Sequence, residues 1–293
     1  MNSSTERAPV GFIGLGIMGA SMAGHLLRAG NPLHVYNRSP ARAEPLVAAG
    51  AHWHDSPGAV AAAADIVITM VGTPDDVEAI YLGPDGIVAK ARAGALLIDM
   101  TTSSPALAEK VAATAAARGL RALDAPVSGG DVGAREARLS IMVGGDEDAF
   151  RRAQPILALM GTKIVRQGGP GAGQHTKLCN QIVIASTMLG VCEGLAYAQR
   201  SGLDAATVLE SIGGGAAGSF LLNNLGPRIL RGDFAPGFMI DHLVKDLRIA
   251  HGEGERLALD LPGLTLALRQ YEALAEAGEG RSGTQALYKR YAP

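Results

Sequence analysis

Short apolar runs alternate with helical segments along roughly the first 165 residues of this chain. The runs are apolar along most of their length, which is typical of strands in a parallel sheet that helices cover on both faces. The predicted strands are Val10–Ile13, Leu33–Tyr36, Ile66–Val71, Ala95–Asp99, Ala122–Pro126, Leu139–Val143 and Thr162–Val165. Strands that alternate with short helices predict an α/β fold with a mostly parallel sheet.

A capping residue followed by proline recurs between these strands. Ser and Thr favour the N-cap of a helix, and Pro favours its first position. The pairs are Ser39-Pro40, Ser56-Pro57, Thr73-Pro74 and Ser104-Pro105. Each pair predicts the start of a helix, and the recurrence supports a serial βα arrangement.

The pattern changes after Gly168, because strand-like runs stop and the sequence from His175 onward predicts helices. Breaks between these helices are indicated at Gly213–Gly215, Pro236-Gly237, Pro262-Gly263 and Gly278–Gly283. We therefore expect an α/β domain at residues 1–168 and an all-helical domain at residues 169–293. A long helix that begins near His175 is expected to join them.

Charge and hydropathy exclude two classes of partner. The chain has a formal net charge of −2, and its Lys and Arg residues are dispersed, so no nucleic-acid partner is expected. The stretch Met1–Pro9 is polar, and no later segment sustains the run of about 18 uncharged apolar residues that would span a bilayer. We expect a cytoplasmic protein with no membrane partner.

Cysteine and histidine positions give no reason to expect a metal. Cys179 and Cys192 both lie in an apolar helical pattern, which argues against a disulfide framework or a cysteine metal site. His52 and His54 flank Trp53, but no carboxylate or cysteine cluster accompanies them. We interpret this segment as a solvated loop and predict no metal site.

A glycine motif follows the first predicted strand and opens the first helix, with Gly14, Gly16 and Gly19 in the spacing GxGxxG. In a dinucleotide-binding loop, these glycines permit a tight turn, a close approach to pyrophosphate, and close packing of helix on strand. The motif alone is weak, but its place at the start of a serial βαβ pattern favours nucleotide binding over a purely structural loop. The predicted cofactor loop comprises Gly14, Leu15, Gly16, Ile17, Met18 and Gly19.

The end of the second predicted strand bears on the choice of cofactor. An NAD site usually has an acidic residue about 20 positions after the glycines, where it accepts from a ribose hydroxyl. This chain has Asn37, Arg38 and Ser39 instead. Asn37 can still bond a ribose, whereas Arg38, together with Arg42, can pair with a 2′-phosphate. We predict NADP, with NAD possible; a solvated loop arginine is the alternative account of Arg38.

Lys177 and Asn180 lie in the segment Gly171–Asn180, where a glycine-rich turn opens an apolar helix. A spacing of three residues places both side chains on one helix face. An ammonium beside a carboxamide can hold and protonate a carbonyl oxygen, which is a dehydrogenase arrangement. A surface lysine and a solvated asparagine are the alternative. Because ligands of open α/β sheets collect at the carboxyl ends of strands, we expect the substrate where this helix meets the sheet.

Four segments together resemble the signature segments of the β-hydroxyacid dehydrogenase family, which includes 3-hydroxyisobutyrate dehydrogenase and tartronate semialdehyde (2-hydroxy-3-oxopropionate) reductase. They occur in the family's order over almost the whole chain, at Val10–Gly30, Asp124–Gly130, Gly171–Asn180 and Lys245–Leu247. Three further segments resemble the reductase branch, namely Ile98–Thr102, Ser140–Gly145 and Pro236–Phe238. The resemblance implies a Rossmann-type, doubly wound sheet and an all-α domain joined by a long interdomain helix.

The chain departs from the family pattern in two places. Asn37-Arg38 stands where NAD-preferring relatives have an acid, which leaves the cofactor open. The segment Gly283–Gln285 is less typical, which leaves the far wall of the substrate pocket open.

The resemblance also implies roles for individual residues. Lys177 would be the general acid that protonates the alkoxide, and Asn180 would hold the substrate oxygen. Ser128, with the backbone amides of Gly129 and Gly130, would bind a carboxylate; an ordinary loop of small residues is the alternative.

Three more positions are implied to contact the cofactor or substrate. Thr102 would lie on the nicotinamide side of the cofactor, and Val71 where the cofactor passes over the sheet. Lys245, oriented by Asp246, would complete these contacts; a surface ion pair is the alternative.

We therefore expect an NADP-preferring oxidoreductase that interconverts a short 3-hydroxy acid and its semialdehyde, with reduction of 2-hydroxy-3-oxopropionate as the favoured reaction. The first alternative is NAD-dependent oxidation of 3-hydroxyisobutyrate or another 3-hydroxy acid. A non-catalytic dinucleotide-binding interaction protein is the second, and the presence of Lys177 with Asn180 argues against it. The expected partners are a small carboxylate substrate and further copies of the chain in a homodimer or homotetramer.

Overall fold

The structure is a computed structural model that describes residues 7–291. The chain divides into two compact units between Lys177 and Leu178. This boundary falls inside a long helix, Ala172–Arg200, shortly after the glycine-rich loop where the sequence pattern changes.

The first unit contains one sheet whose strands are all within residues 7–291. Their bounds are β1 Val10–Ile13, β2 Leu33–Tyr36, β3 His52–Trp53, β4 Ile66–Thr69, β5 Leu96–Asp99, β6 Arg121–Asp124, β7 Val127–Ser128, β8 Leu139–Gly145 and β9 Gly161–Gly168. The order across the sheet is β3-β2-β1-β4-β5-β6-β8-β7, and β9 pairs with β8. Pairing is parallel except between β6 and β8 and between β7 and β8. The predicted mostly parallel, doubly wound sheet is confirmed.

The strands are apolar on both faces because helices cover both faces. On β1, Phe12 packs into one hydrophobic cluster while its neighbour Ile13 packs into another. The same alternation separates Ile68 from Val67 on β4. Successive side chains of a strand point to opposite faces, so these clusters are the two cores of a three-layer unit.

Helices follow most of the strands. They are α1 Ile17–Arg28, α2 Glu44–Ala48, α3 Pro57–Ala63, α4 Pro74–Leu82, α5 Ile87–Lys90, α6 Pro105–Ala116, α7 Gly130–Arg135 and α8 Glu147–Leu157. Ser56, Thr73 and Ser104 cap α3, α4 and α6 through side-chain bonds to backbone amides. These three predicted helix starts are confirmed.

Two local predictions are wrong. Ser39-Pro40 opens only a 3₁₀ turn, Pro40–Arg42, and the Ser39 side chain caps no helix. His52 and Trp53 are not in a solvated loop but form the edge strand β3, in register with His34 and Val35 of β2. A strand of two residues is stabilised by its hydrogen bonds to the adjacent strand. It is too short to show the alternation of apolar and polar residues by which a strand is predicted from sequence.

The second unit is helical apart from one isolated β-bridge, Met239 with Gly283, within its described residues. Its helices are the greater part of α9 Ala172–Arg200, then α10 Ala205–Gly213, α11 Gly226–Leu230, α12 Ile240–Arg256 and α13 Pro262–Leu274. Two π-helical turns, at Leu221–Leu225 and Ala275–Glu279, and a 3₁₀ segment at Thr284–Arg290 complete it. Its core includes Leu243 and Leu247 of α12 and Tyr271 of α13.

Helix α9 is long and apolar enough to cross a membrane by length and composition, and it is the one such helix within residues 7–291. The core helix of a soluble protein passes the same test, and 44% of the most apolar window of α9 is buried inside the protein. This helix is therefore weak evidence for a membrane span.

Candidate active site

The glycine loop lies at the carboxyl end of β1, where the order of strands reverses between β1 and β4. Gly14 has a φ of 96°, and a Cβ atom there would lie 2.2 Å from the Met70 carbonyl oxygen. A Cβ at Gly19 would lie 1.9 Å from the Gly14 carbonyl oxygen. Both positions therefore require glycine for the turn and the helix packing that the motif predicts.

Gly16 differs from the other two glycines of the loop. Apart from its neighbours in the chain, the Arg42 guanidinium is the one group of residues 7–291 that comes within 4 Å of where its Cβ would be, at 3.8 Å. Gly16 is the N-cap of α1, no side chain caps this helix, and its first turn has no acidic residue. The open backbone, the uncapped amides and the nearby cation fit the pyrophosphate of a dinucleotide.

The Asn37 side chain joins the end of β2 to this loop. Its Oδ1 accepts from the Leu15 backbone amide at 2.8 Å, and its Nδ2 donates to the Ser39 carbonyl at 2.9 Å. Both ends of the amide are thus used in holding the loop. Arg38 is different, because its side chain is 87% exposed and lies 3.5 Å from an Asp76 carboxylate oxygen.

Val71 and Thr102 follow the carboxyl ends of β4 and β5. The Val71 amide donates to the buried Thr101 hydroxyl at 3.0 Å, which ties the two strand ends together. Thr102 is half-buried in the next position of the same loop. The structure therefore brings both predicted cofactor positions to the edge of the sheet that carries Gly14.

A buried polar cluster beneath these loops was missed by sequence reasoning. The Thr69 hydroxyl donates to Asp99 Oδ1 at 2.7 Å, and the Thr101 amide donates to the same oxygen at 3.1 Å. The Tyr81 hydroxyl lies 3.0 Å from the Thr69 hydroxyl. Burial raises the pKa of Asp99 to about 6, against these hydrogen bonds, which favour the charged form. The position of Asp99, an acidic residue at the end of an apolar predicted strand, was the sequence feature that could have indicated this cluster.

Ser128 lies at the end of β7, next to a turn formed by Gly129 and Gly130 with φ of 135° and 63°. Such backbone conformations favour glycine whatever the function. Gly129 is the N-cap of α7 and no side chain caps that helix. The turn thus offers a half-buried hydroxyl and backbone amides, and carboxylate binding there stays a prediction.

Lys177 is buried, with 7% of its surface exposed, so the alternative of a surface lysine is excluded. It follows the first turn of α9, in the first unit. Asn180 lies three residues further along the same helix, as predicted, and is half-buried. Its Nδ2 donates to Gln181 Oε1 at 2.8 Å.

Lys245 belongs to a buried polar chain in the second unit. Its ammonium lies 3.0 Å from Asp246 Oδ1, and the side chains are 20% and 3% exposed. Gln181 donates to the other Asp246 oxygen at 2.7 Å. The alternative of a plain surface ion pair is therefore excluded, and Gln181 and Asp246 connect Asn180 to Lys245.

A cavity of about 540 Å³ lies at the other edge of the sheet, against Ala8, Ile66 and Ala95 at the amino ends of β1, β4 and β5. None of the predicted site residues lines it. We regard it as separate from the candidate active site, because ligands of open α/β sheets bind at the carboxyl edge.

Within residues 7–291, no group of three or more His, Cys, Asp or Glu side chains is arranged to hold a metal ion. His52 and His54 lie beside His34, and a hydrogen bond of 2.9 Å joins His34 Nδ1 and His54 Nε2. Burial and neighbouring histidines lower the pKa of both His34 and His54.

Comparison with known proteins gives the same organisation. Residues 9–169 match the family described as the NAD-binding domain of 6-phosphogluconate dehydrogenase. Residues 171–291 match the family described as NAD-binding of NADP-dependent 3-hydroxyisobutyrate dehydrogenase. Together these matches cover almost the whole chain.

Relatives match over almost the same range. A probable mitochondrial 3-hydroxyisobutyrate dehydrogenase-like protein of Arabidopsis thaliana is 50% identical over 95% of this chain and 83% of its own length. The 2-hydroxy-3-oxopropionate reductase of Escherichia coli is 39% identical over 95% of each chain. The structure of Mycobacterium tuberculosis 3-hydroxyisobutyrate dehydrogenase with L-serine is 33% identical, covers 98% of this chain and 100% of that one, and superposes with a TM-score of 0.91.

The dinucleotide loop, the buried lysine on α9 and these matches agree. The chain belongs to the β-hydroxyacid dehydrogenase family and is an NAD(P)-dependent oxidoreductase that acts on CH–OH groups.

Proposed function

We propose that this protein is an NADP-preferring enzyme that reduces 2-hydroxy-3-oxopropionate to the corresponding 3-hydroxy acid, and catalyses the reverse reaction. The observation that carries the proposal is the buried ammonium of Lys177, one turn inside a helix that begins at the cofactor edge of the sheet. A non-catalytic binding protein has no need of this group, and burying a lysine is costly. The buried Lys177 therefore favours an enzyme.

NADPH, when bound at the glycine loop, would supply the hydride. Lys177 donates the proton to the oxygen that becomes the hydroxyl, and takes it back in the reverse direction. Asn180 holds that oxygen, and its amide is oriented by the bond to Gln181. Ser128 and the amides of Gly129 and Gly130 bind the substrate carboxylate.

The preference for NADP rests on charge at the end of β2. Asn37 offers no carboxylate to the ribose, and its amide is already used in the loop. Arg38 is exposed enough to turn from Asp76 to a 2′-phosphate, and Arg42 lies beside Gly16. The name of the family matched by the second unit, which includes the word NADP-dependent, supports the same choice.

The choice of substrate is supported by the E. coli reductase, which matches nearly end to end. The second candidate is 3-hydroxyisobutyrate or a serine-like 3-hydroxy acid. It is favoured by the name of the Arabidopsis relative and by the L-serine in the M. tuberculosis structure. In both candidate substrates, the carbon next to the carboxylate bears a hydroxymethyl or aldehyde group. The same residues would therefore bind either substrate.

One panel of assays tests these proposals. Purified protein is mixed with 2-hydroxy-3-oxopropionate and methylmalonate semialdehyde in the reducing direction, and with glycerate, 3-hydroxyisobutyrate and L-serine in the oxidising direction. Each is assayed with both cofactors by nicotinamide absorbance. The highest kcat/KM with 2-hydroxy-3-oxopropionate and NADPH supports the proposal. A higher value for the 3-hydroxyisobutyrate pair overturns the substrate, and no turnover with any of them overturns the enzyme assignment.

We also propose a cytoplasmic homodimer or homotetramer. Val183 and Tyr197 are large side chains on α9 that are 65% and 74% exposed in the single chain, and burial in a subunit interface would remove them from water. Light scattering on the purified protein tests this, since a monomer mass at micromolar concentration would contradict it.

A further inference from the structure

The helix that carries Lys177 is anchored by residues far from it in the sequence. Asp124, at the end of β6, directs both carboxylate oxygens at the start of α9. Oδ1 accepts from the Gly171 amide at 2.8 Å, and Oδ2 accepts from the Gln174 amide at 2.8 Å. The first amides of a helix have no partner within the helix, so this carboxylate acts as an N-cap supplied by another element.

The Gln174 side chain makes the second attachment. Its Nε2 donates to the Thr101 carbonyl at 2.8 Å, and its Oε1 accepts from the Ser103 amide at 2.9 Å. The residue is fully buried. These two hydrogen bonds hold the backbone on either side of Thr102, which is the residue predicted to lie beside the nicotinamide.

Close backbone packing makes the joint rigid. A Cβ at Gly173 would lie 2.5 Å from the Met142 carbonyl oxygen, and one at Gly144 would lie 2.4 Å from Asp124 Oδ1. The start of α9, β6 and β8 therefore pack closely against one another through backbone atoms and the Asp124 carboxylate. Small changes in any of these contacts must move the first turn of α9.

Lys177 lies three residues after Gln174, so both side chains project from the same face of α9. We propose that Asp124 and Gln174 are positioning residues that fix the first turn of α9 against the Thr101–Ser103 loop, and thereby set the position of the Lys177 ammonium relative to the cofactor. This inference rests on the proposed role of Lys177. The clasp, meaning Asp124 and Gln174 with their four hydrogen bonds, acts through Lys177.

The test compares Asp124→Asn and Gln174→Met with a matched control. Asparagine offers one acceptor where the carboxylate offers two, and methionine keeps the length of Gln174 without its polar atoms. The control is Asp146→Asn, because the Asp146 side chain caps α8 by accepting from the Ala149 amide at 3.0 Å. Helix α8 belongs to the same unit and carries no predicted site residue.

The measurements are kcat, KM, the affinity for NADPH, and the isotope effect on kcat with NADPH deuterated at nicotinamide C4. The substrate is whichever member of the panel the wild type reduces best. A misplacement of about 1 Å can cost roughly 100-fold, so we expect kcat to fall about 10- to 100-fold in both clasp variants. The isotope effect should rise, because hydride and proton transfer become slower than product release, while NADPH affinity changes less than about twofold.

A merely structural role gives a different result. Loss of folded protein lowers kcat without changing the isotope effect, and it would be matched by Asp146→Asn at equal loss of thermal stability. The inference is overturned if kcat falls with no change in the isotope effect. It is also overturned if kcat is unchanged in Asp124→Asn. If Gln174→Met fails to fold, Asp124→Asn decides alone, and Asp124→Glu should restore part of the activity. Full activity in Lys177→Ala would instead remove Lys177 from the mechanism, and absence of turnover in the wild type would overturn the proposed function, so these failures are distinguishable from failure of the clasp.

Discussion

Thr69 donates a hydrogen bond of 2.7 Å to Asp99, its register partner on the neighbouring strand, in the interior of the first unit. Both residues are buried, with exposures of 0% and 8%. The bond orients a carboxyl group whose pKa burial raises from 3.8 to about 6. An ionisable carboxyl group therefore lies buried beneath the cofactor loops. Its protonation makes the stability of the folded protein depend on pH.

This linkage gives the first prediction. Because the folded-state pKa of Asp99 is raised, its contribution to stability is fully present below about pH 4 and is lost as pH rises to about 6. One pKa unit corresponds to about 1.4 kcal/mol, so the loss should be on the order of 2–3 kcal/mol. Asp99→Asn keeps the acceptor for Thr69 and has no proton to lose. Relative to wild type it should therefore gain stability between pH 4 and 6.5, measured by urea unfolding.

Asp146→Asn is the control for this experiment. Hydrogen bonding to the Ala149 amide lowers the pKa of Asp146, so its contribution is lost as pH falls, in the direction opposite to Asp99. A stability difference between wild type and Asp99→Asn that stays constant from pH 4 to 7 would show that the Asp99 carboxyl does not titrate in this range.

Lys177→Ala should abolish most turnover and leave cofactor affinity intact, because the proton donor is lost while the glycine loop remains. General acid catalysis contributes about 10²- to 10⁴-fold, so kcat should fall by that factor. Lys163 is an exposed lysine of the same unit, and Lys163→Ala should keep wild-type kinetics. Steady-state assays and NADPH titration measure both effects. Near-normal kcat in Lys177→Ala would remove this residue from the mechanism.

Ser128→Ala should raise KM more than it lowers kcat. A hydroxyl that binds the carboxylate equally in the ground state and the transition state contributes uniform binding, which appears in KM. Loss of one hydrogen bond to a charged group is worth about 1.5–3 kcal/mol, or roughly 10- to 100-fold. Ser211→Ala, at an exposed serine of the second unit, serves as the control. If KM is unchanged for every acid in the panel, the turn is only structural.

Asn37→Asp together with Arg38→Leu should reverse the cofactor preference. Aspartate keeps the Oδ acceptor that the Leu15 amide uses and loses only the donation to the Ser39 carbonyl, so the glycine loop should keep its contact with the end of β2. Its carboxylate accepts from the NAD ribose and repels the 2′-phosphate, while the charge-assisted contact from Arg38 is lost. Wild type should bind NADPH about tenfold or more tighter than NADH, and added salt should narrow this gap because Arg38 is exposed.

Titration of wild type and the double variant with both cofactors measures this preference. Equal affinities in wild type, or no shift in the variant, would show that Arg38 remains with Asp76 and does not select the cofactor.

The sequence by itself determined the features that depend on neighbours in the chain. The spacing of Gly14, Gly16 and Gly19 after an apolar strand predicts the loop that the structure shows, because the turn and the helix start are local. The caps at Ser56, Thr73 and Ser104 are equally local. Lys177 and Asn180 share a helix face for the same reason, since their separation is fixed by the helical repeat.

Tertiary structure decided what depends on residues that the chain brings together from a distance. Strand β3 forms only because β2 provides its hydrogen-bond partners, and its two residues carry no period of their own. Asn37 accepts from the backbone amide of Leu15, which lies 22 residues earlier, and donates to the Ser39 carbonyl, and no pattern along the chain indicates the first of these bonds. Asp124 caps the start of α9 by accepting from the Gly171 amide, 47 residues later in the chain. No pattern in a sequence encodes such pairs, because the hydrogen bonds of buried polar groups are chosen by the packing of the whole unit.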